Sequence, residues 1–315
     1  MKPAILLIGT TGQIGRELYR TLPRVGEVSA LDRERLDLTR PAEIRHAIRT
    51  FRPALIVNAA AYTAVDRAES EESVARAINA EAPGVMAEEA KKIGAFLIHY
   101  STDYVFDGLK TTPYEEDDPP NAQNAYGRAK LEGERAIQAS GAAHLIFRTA
   151  WVYATEGRNF LLAILRLATQ REELRIVRDQ IGAPTLNTEI AGATTTILSR
   201  ICDTKTGPFS AEEMSGIYHM TAGGETSWHG FASAILEEAV NTPATCAWFA
   251  AATGGSQLIA RSVIPIASSE YPTPARRPAY SVLSNARLSR VFSVQLPAWR
   301  VQLKSAFANP RARSF

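Results

Sequence analysis

Along the first half of the chain, short unbroken apolar runs alternate with longer stretches in which apolar residues recur every three or four positions. The runs AILLIG (4–9), EVSALD (27–32), ALIVNAA (54–60), AFLIHYS (95–101) and HLIFRT (144–149) predict strands buried on both faces. The stretches 13–22, 41–50, 73–93 and 126–140 predict helices between them. Strands separated by helices predict an α/β fold, a Rossmann-like doubly wound parallel sheet. After about residue 150 the rhythm loosens. NFLLAILRLATQ (159–170) and the region 231–239 predict helices, LRIVRD (174–179) and GIYHMTAG (216–223) predict strands, and the proline-rich YPTPARRPAYSVLS (271–284) predicts extended or loop chain. The expected organisation is a dinucleotide-binding domain over 1–150 carrying the catalytic groups. Residues 151–315 are expected to form mainly a smaller C-terminal substrate lobe, with some segments returning to the first domain. The cleft between them, beyond the carboxyl ends of the strands, is the expected ligand site.

Composition narrows the function classes. Hydrophobic residues make up 45% and charged residues 22% of the 315, and the formal charge of +2 offers no polyelectrolyte surface for nucleic acid. Two cysteines, Cys202 and Cys246, make no disulfide framework, and the five histidines are scattered without zinc spacing. The first apolar run is too short for a signal-peptide core, and no run approaches the roughly 20 apolar residues that span a bilayer. A cytoplasmic protein without membrane attachment is expected.

The chemistry begins after the first strand. GTTGQIG places Gly9, Gly12 and Gly15 at the opening of a helix, where backbone N–H groups can approach a pyrophosphate. Asp32 stands at the end of the second strand, where a carboxylate can accept from ribose hydroxyls, which favours NAD. Arg33 and Arg35 beside it suit the 2′-phosphate of NADP, so both NADH and NADPH are expected. NAAAYTAVD (58–66) supplies small residues to lie under a cofactor, and Asp37–Leu38 can border the adenine. HYSTDYVFDG (99–108) puts Ser101 and Thr102 at a strand end, and NAYGRAK (124–130) aligns Tyr126 and Lys130 on one helix face. A hydroxyl to hold a carbonyl oxygen, a phenol to protonate it and an ammonium to lower the phenol pKa together suit hydride transfer to a ketone.

The glycine triplet, NAA, STDYVF and Tyr-x-x-x-Lys resemble the extended short-chain dehydrogenase/reductase family. Longer blocks in both halves, namely NAAAYTAVDRAE, YGRAKLEGE, FRTAWVYA, DQIGAPT, YHMTAGGETSWH and YPTPARRP, resemble its dTDP-4-dehydrorhamnose reductase branch. This resemblance implies NADPH or NADH as cofactor and a dTDP-4-keto-6-deoxy-sugar as substrate. Tyr126 would donate the proton, Thr102 would hold the keto oxygen, and Lys130 would bind cofactor and tune Tyr126. Gly12, Gln13, Ile14, Asp32, Asp37, Leu38, Ala61, Tyr62 and Thr63 fall on its cofactor-contact positions. Thr102, Asp103, Tyr104 and Trp151 fall on its sugar-contact positions, and Arg276 with Arg277 would close over the diphosphate. Members of the family can be homodimers with an interfacial Mg²⁺. Glu17 fits one ligand position, but Thr188 stands where a second carboxylate is expected, with Glu189 one residue on, so no metal ligand is assigned. The alternatives are an epimerase or 4,6-dehydratase of the same fold, or a non-catalytic subunit similar to the regulatory subunit of methionine adenosyltransferase. Thr102-Asp103-Tyr104 stands against a dehydratase, since related dehydratases carry Thr-Asp-Glu there.

Overall fold

The structure is a computed structural model that describes residues 2–202, 213–243 and 245–309. Strands β1 (Ala4–Ile8), β2 (Glu27–Leu31), β3 (Leu55–Asn58), β4 (Phe96–Thr102) and β5 (His144–Thr149) form the core. With the strand Gly216–His219 they make one sheet in the order β2-β1-β3-β4-β5-(216–219), every pairing parallel. The apolar runs belong here because helices cover both faces. On one face Leu7, Val57, Ile98 and Phe147 pack with Leu18 of helix α1 (Gln13–Thr21) and with Ile190 and Ile197 of the helix Asn187–Cys202. On the other, Leu6, Ile56, Leu97 and Ile146 pack with Ile44 and Ile48 of α2 (Pro41–Phe51), Met86 of Ala82–Ile93 and Ile137 of Ala125–Ser140. Each such side chain contributes about 1.5–3 kcal/mol on burial. A separate core joins Tyr153, Leu161, Leu165, Phe231, Ile235 and Leu303 in the second half of the chain.

Two elements differ from the sequence expectation. The helix expected over 73–93 is three pieces, Glu72–Arg76, a π-helical turn Ala77–Glu81, and Ala82–Ile93. The extra residue in a π turn redirects a side chain. Here it is Asn79, fully buried, whose amide accepts from the Tyr62 N–H and donates to the Tyr62 carbonyl, both at 2.9 Å. Hydropathy does not register that change of pitch. The strand expected at 216–223 is Gly216–His219, and its partner is β5 of the main sheet. The proline-rich 271–284 is irregular as expected, with isolated bridges from Tyr280 to Ile181 and from Leu283 to Tyr114.

Candidate active site

Parallel pairing brings the carboxyl ends of β1, β2, β3 and β4 to one edge, with Ile8 level with Leu31 and Asn58, and Asn58 level with His99. The chain leaves that edge through the glycine loop, Asp32, Ala59–Thr63 and Thr102. The loop is tightly built. Gly9 has φ +90°, and a Cβ there would meet the Ala60 amide nitrogen at 2.5 Å. α1 has Gly12 as its N-cap with no side-chain cap, so its first N–H groups remain open to an anion. Gln13 donates Nε2–H to the Val152 carbonyl at 3.3 Å, while its buried Oε1 has no partner among the described residues. An unsealed helix start and an orphaned acceptor fit a dinucleotide diphosphate and its ribose.

Thr102 ends β4 and caps the following 3₁₀ turn, accepting from the Tyr104 N–H at 3.2 Å and donating to Asp103 Oδ1 at 3.0 Å. The helix Ala125–Ser140 begins over it. Asn124 caps that helix by accepting from the Gly127 N–H at 2.8 Å, and Glu69 accepts from the Ala125 N–H at 2.8 Å. A Cβ at Gly127 would meet the Tyr104 carbonyl oxygen at 2.2 Å, so the small residue there lets the helix start sit on the turn. Tyr126 thereby brings its phenol near Thr102, whose hydroxyl acts on it. Burial holds that phenol up at about 12, with the Thr102 hydroxyl acting against the rise and Asp103 adding to it. Tyr104 lies edge-on to Tyr126, ring centroids 5.7 Å apart, and burial also lifts its phenol well above the ordinary range. Asp103 is 2% exposed, and burial raises its carboxyl to about 6.

Lys130, expected to tune Tyr126, has buried partners of its own. Its Nζ lies 2.9 Å from His99 Nε2 and 2.5 Å from the Tyr100 carbonyl oxygen, and it is not among the groups acting on the Tyr126 phenol. Burial lowers its own pKa to about 7, Glu134 one turn along acting against the fall. The physical reason is reach: Lys130 points down from the helix into the buried strand β4, where the Tyr100 carbonyl oxygen and the His99 ring are its polar partners. The i, i+4 spacing was visible in the sequence, whereas the partner of Lys130 on β4 was not.

On the substrate side, Trp151 has φ +46°, a left-handed conformation that costs a non-glycine residue about 1–3 kcal/mol. One face of its ring is covered by Trp228 at 3.5 Å and an interplanar angle of 4°. Gly182 packs against the same indole, where a Cβ would meet Cε2 at 2.4 Å, so the ring is held between that backbone and Trp228, a residue the motif reading missed although it lies in the quoted block YHMTAGGETSWH. The arginine assignment also changes. Arg276 is exposed, and its role here is its backbone carbonyl, which accepts from Asn124 Nδ2 at 2.8 Å. Arg277 is half-buried, pairs with Asp66 at 2.8 Å and acts electrostatically on Tyr104. The side chain in the site is therefore Arg277, because each step along an extended segment turns a side chain to the other side.

Of the cofactor positions, Asp32 turns Oδ1 to the N–H groups of Glu34 and Arg35, both at 3.1 Å, which rigidifies the β2 exit. Asp37 similarly accepts from the Thr39 N–H and hydroxyl, which hold its carboxyl below the usual range. Leu38 is buried in the core, and Ile14 packs against it on the other face. Tyr62 donates its hydroxyl to Glu71 at 2.6 Å, with Ala61 half-buried and Thr63 exposed beside it. Arg33 is exposed. If it contacts the 2′-phosphate, Arg33→Ala lowers kcat/KM with NADPH about tenfold and with NADH far less, the size of one charged hydrogen bond. Initial-rate measurements with each cofactor check this; equal losses would remove Arg33 from phosphate recognition. Glu17 is the residue the resemblance offers to Mg²⁺. Glu17 is buried and paired with Arg20, Arg16 and Arg20 also pair with Glu156, and the described residues hold no cluster of three or more metal-ligating side chains.

Comparison with known proteins places the whole chain. The family described as RmlD substrate binding domain matches residues 1–311. A dTDP-4-dehydrorhamnose reductase of Burkholderia thailandensis is 48% identical over 297 residues, covering 94% of this chain and 95% of the relative. One from Shigella flexneri is 42% identical over 304 residues, covering 95% of each. The crystal structure of a dTDP-4-dehydrorhamnose reductase from Bacillus anthracis in complex with NADP superimposes with a TM-score of 0.83 at 31% identity, over 98% of this chain and 99% of that one.

Proposed function

The chain belongs to the RmlD substrate binding domain family, and we infer from that membership and from the site how its residues work. The protein is an NAD(P)H-dependent oxidoreductase that reduces the 4-keto group of dTDP-4-dehydrorhamnose in dTDP-rhamnose biosynthesis. The observation that supports this most directly is the placement of the Tyr126 phenol beside Thr102 at the strand edge next to the glycine loop.

When bound, the reduced nicotinamide supplies the hydride. The chain supplies the rest. Thr102 orients the keto oxygen, and Tyr126 gives it a proton. A phenol held up at about 12 is fully protonated at neutral pH, and the developing alkoxide is a far stronger base than a phenolate, so the transfer runs downhill. Gly9–Gly15 and the N-terminus of α1 hold the diphosphate, and Lys130 the ribose hydroxyls. Trp151, backed by Trp228, forms one wall against the deoxysugar, and Arg277 with Asp66 lies on the nucleotide side. Homodimerisation and cytoplasmic residence belong to the same reading on resemblance alone.

A dehydratase reading is weaker for a reason in the site. Elimination needs a base next to Asp103, and Tyr104 is a phenol kept protonated by burial. Incubation with the dTDP-4-keto-sugar and NADPH or NADH decides between them. Expected is one equivalent of cofactor oxidised per dTDP-L-rhamnose formed, with dTDP-glucose unchanged by mass spectrometry. Loss of water from dTDP-glucose without net cofactor turnover would overturn the reductase reading.

A further inference from the structure

The contacts of His99 dictate the protonation state of Lys130. Asn58, His99 and Lys130 form a fully buried chain from the β3 exit to the Tyr126 helix, with Asn58 Nδ2 3.0 Å from His99 Nδ1 and His99 Nε2 2.9 Å from Lys130 Nζ. The amide orientation of Asn58 is fixed at its other end, where Oδ1 accepts from the Ala60 N–H at 3.1 Å. A flipped amide would set an NH₂ group against that N–H. Nδ2 therefore donates, and His99 Nδ1 can only accept. A ring that accepts at Nδ1 carries its single proton on Nε2. That proton points at Lys130 Nζ. An ammonium has three donors and no lone pair, so it cannot accept, whereas a neutral amine accepts from Nε2–H and still donates to the Tyr100 carbonyl.

We propose that His99 is a positioning residue that holds Lys130 as a neutral amine in the cofactor-free protein, and that cofactor binding draws one proton onto Lys130 as Nζ leaves the ring for the ribose hydroxyls. The proposal rests on the reading of Lys130 as a cofactor ligand. The surroundings agree with it. Burial lowers the Lys130 pKa to about 7 and keeps the His99 ring far below its ordinary value, so neither carries a stable charge at mildly alkaline pH. The anion facing Lys130 is Glu134 on its own helix, held by Arg148 of β5 through two hydrogen bonds, and its effect does not overcome the burial of the amine. The turn packed on the helix start adds Asp103 and Tyr104, and the helix itself adds Tyr126. From the helices outside, Glu72 and Arg76 pair with Arg128 and Glu132, and Glu89 pairs with Arg45, Arg49 and Lys92. Asp66 and Arg67 of the short helix Val65–Ala68 pair with Arg277 and Glu71. The device links the cofactor loop, through Asn58 and Ala60, to the charge of the residue that binds the cofactor.

The test has two readouts that do not depend on turnover. In cofactor-free protein labelled with ¹⁵N-histidine, the nitrogen shifts of His99 report its tautomer. Expected is protonated Nε2 with bare Nδ1; a proton on Nδ1 overturns the proposal. Calorimetric titration with NADH, which has no 2′-phosphate to titrate, at pH 8 in buffers of different ionisation enthalpy counts the protons. Expected is uptake of about one, with Kd rising about tenfold per pH unit above 7; binding without uptake overturns the proposal. Asn58→Asp reverses the logic, because a carboxylate accepts from the Ala60 N–H and from Nδ1–H together, freeing Nε2 to accept from an ammonium. In that variant uptake should fall toward zero while NADH still binds, and unchanged uptake would contradict the proposal. If NADH fails to bind the native protein, the cofactor reading falls, and the tautomer alone still decides the state of Lys130.

Discussion

Tyr126→Phe should lower kcat by about 10²–10⁴-fold while the Kd for NADPH changes little, the range that a general acid contributes. The substitution removes one oxygen and leaves its supports in place. The ring stays against Tyr104, and the helix start stays fixed by Asn124 and Glu69. The loss should therefore fall on the chemical step and not on substrate KM. Tyr104→Phe supplies the contrast: it keeps the proton donor, so its effect should be smaller and should appear in KM. Steady-state rates together with a fluorescence titration of NADPH separate the two. A Tyr126→Phe enzyme with near-normal kcat would show that another group, with Asp103 and its carboxyl at about 6 the nearest alternative, delivers the proton.

The sequence carried the parts of this site that are written in local pattern. Buried strands that need cover on both faces can only be continuous apolar runs, so β1, β3, β4 and β5 were legible, and the parallel sheet followed from their spacing. Gly9, Gly12, Gly15, Thr102 and Tyr126 were legible because backbone close approach and strand-end placement allow few other residues. What escaped depends on contacts between distant segments. The destination of Lys130 is set by His99 on another element, and a single histidine inside AFLIHYS does not announce a hydrogen bond across the sheet. Trp228 meets Trp151 across 77 positions of chain, a pairing no spacing rule encodes. Arg277 rather than Arg276 faces Asp66 because neighbouring side chains of an extended segment turn to opposite sides, and the sequence does not say which of the two sides meets Asp66. The π turn at Ala77–Glu81 kept the apolar pattern of a helix while shifting Asn79 onto the Tyr62 backbone.

Arg148→Ala should destabilise the protein by about 3–5 kcal/mol, the cost of leaving a buried charge without its partner. Arg148 on β5 and Glu134 on the Tyr126 helix are 2% and 1% exposed, and they meet through two parallel hydrogen bonds at 3.0 and 2.7 Å. The guanidinium also lies over the Phe106 ring at 5.0 Å, and Phe106 stacks on Tyr114 at 4.2 Å. Alanine removes all of this and strands Glu134 in a site from which water is excluded. The double substitution Arg148→Met with Glu134→Leu removes both charges and restores volume, so it should lose much less than the single one. Denaturant midpoints at constant m-value measure both. A single-variant loss under about 1 kcal/mol would mean that water reaches Glu134 and that the pair is not a fastening of the helix to the sheet. The double variant also tests the site from behind. Removing the Glu134 carboxylate removes the group that raises the Lys130 pKa, so that pKa should move below about 7 and NADH binding at neutral pH should demand more proton uptake than in the native protein. A helix whose stability rests on Glu134 and whose chemistry rests on Tyr126 and Lys130 thus couples fold and function along one face. Loss of the anion should weaken cofactor binding at pH 8 even where packing has been restored.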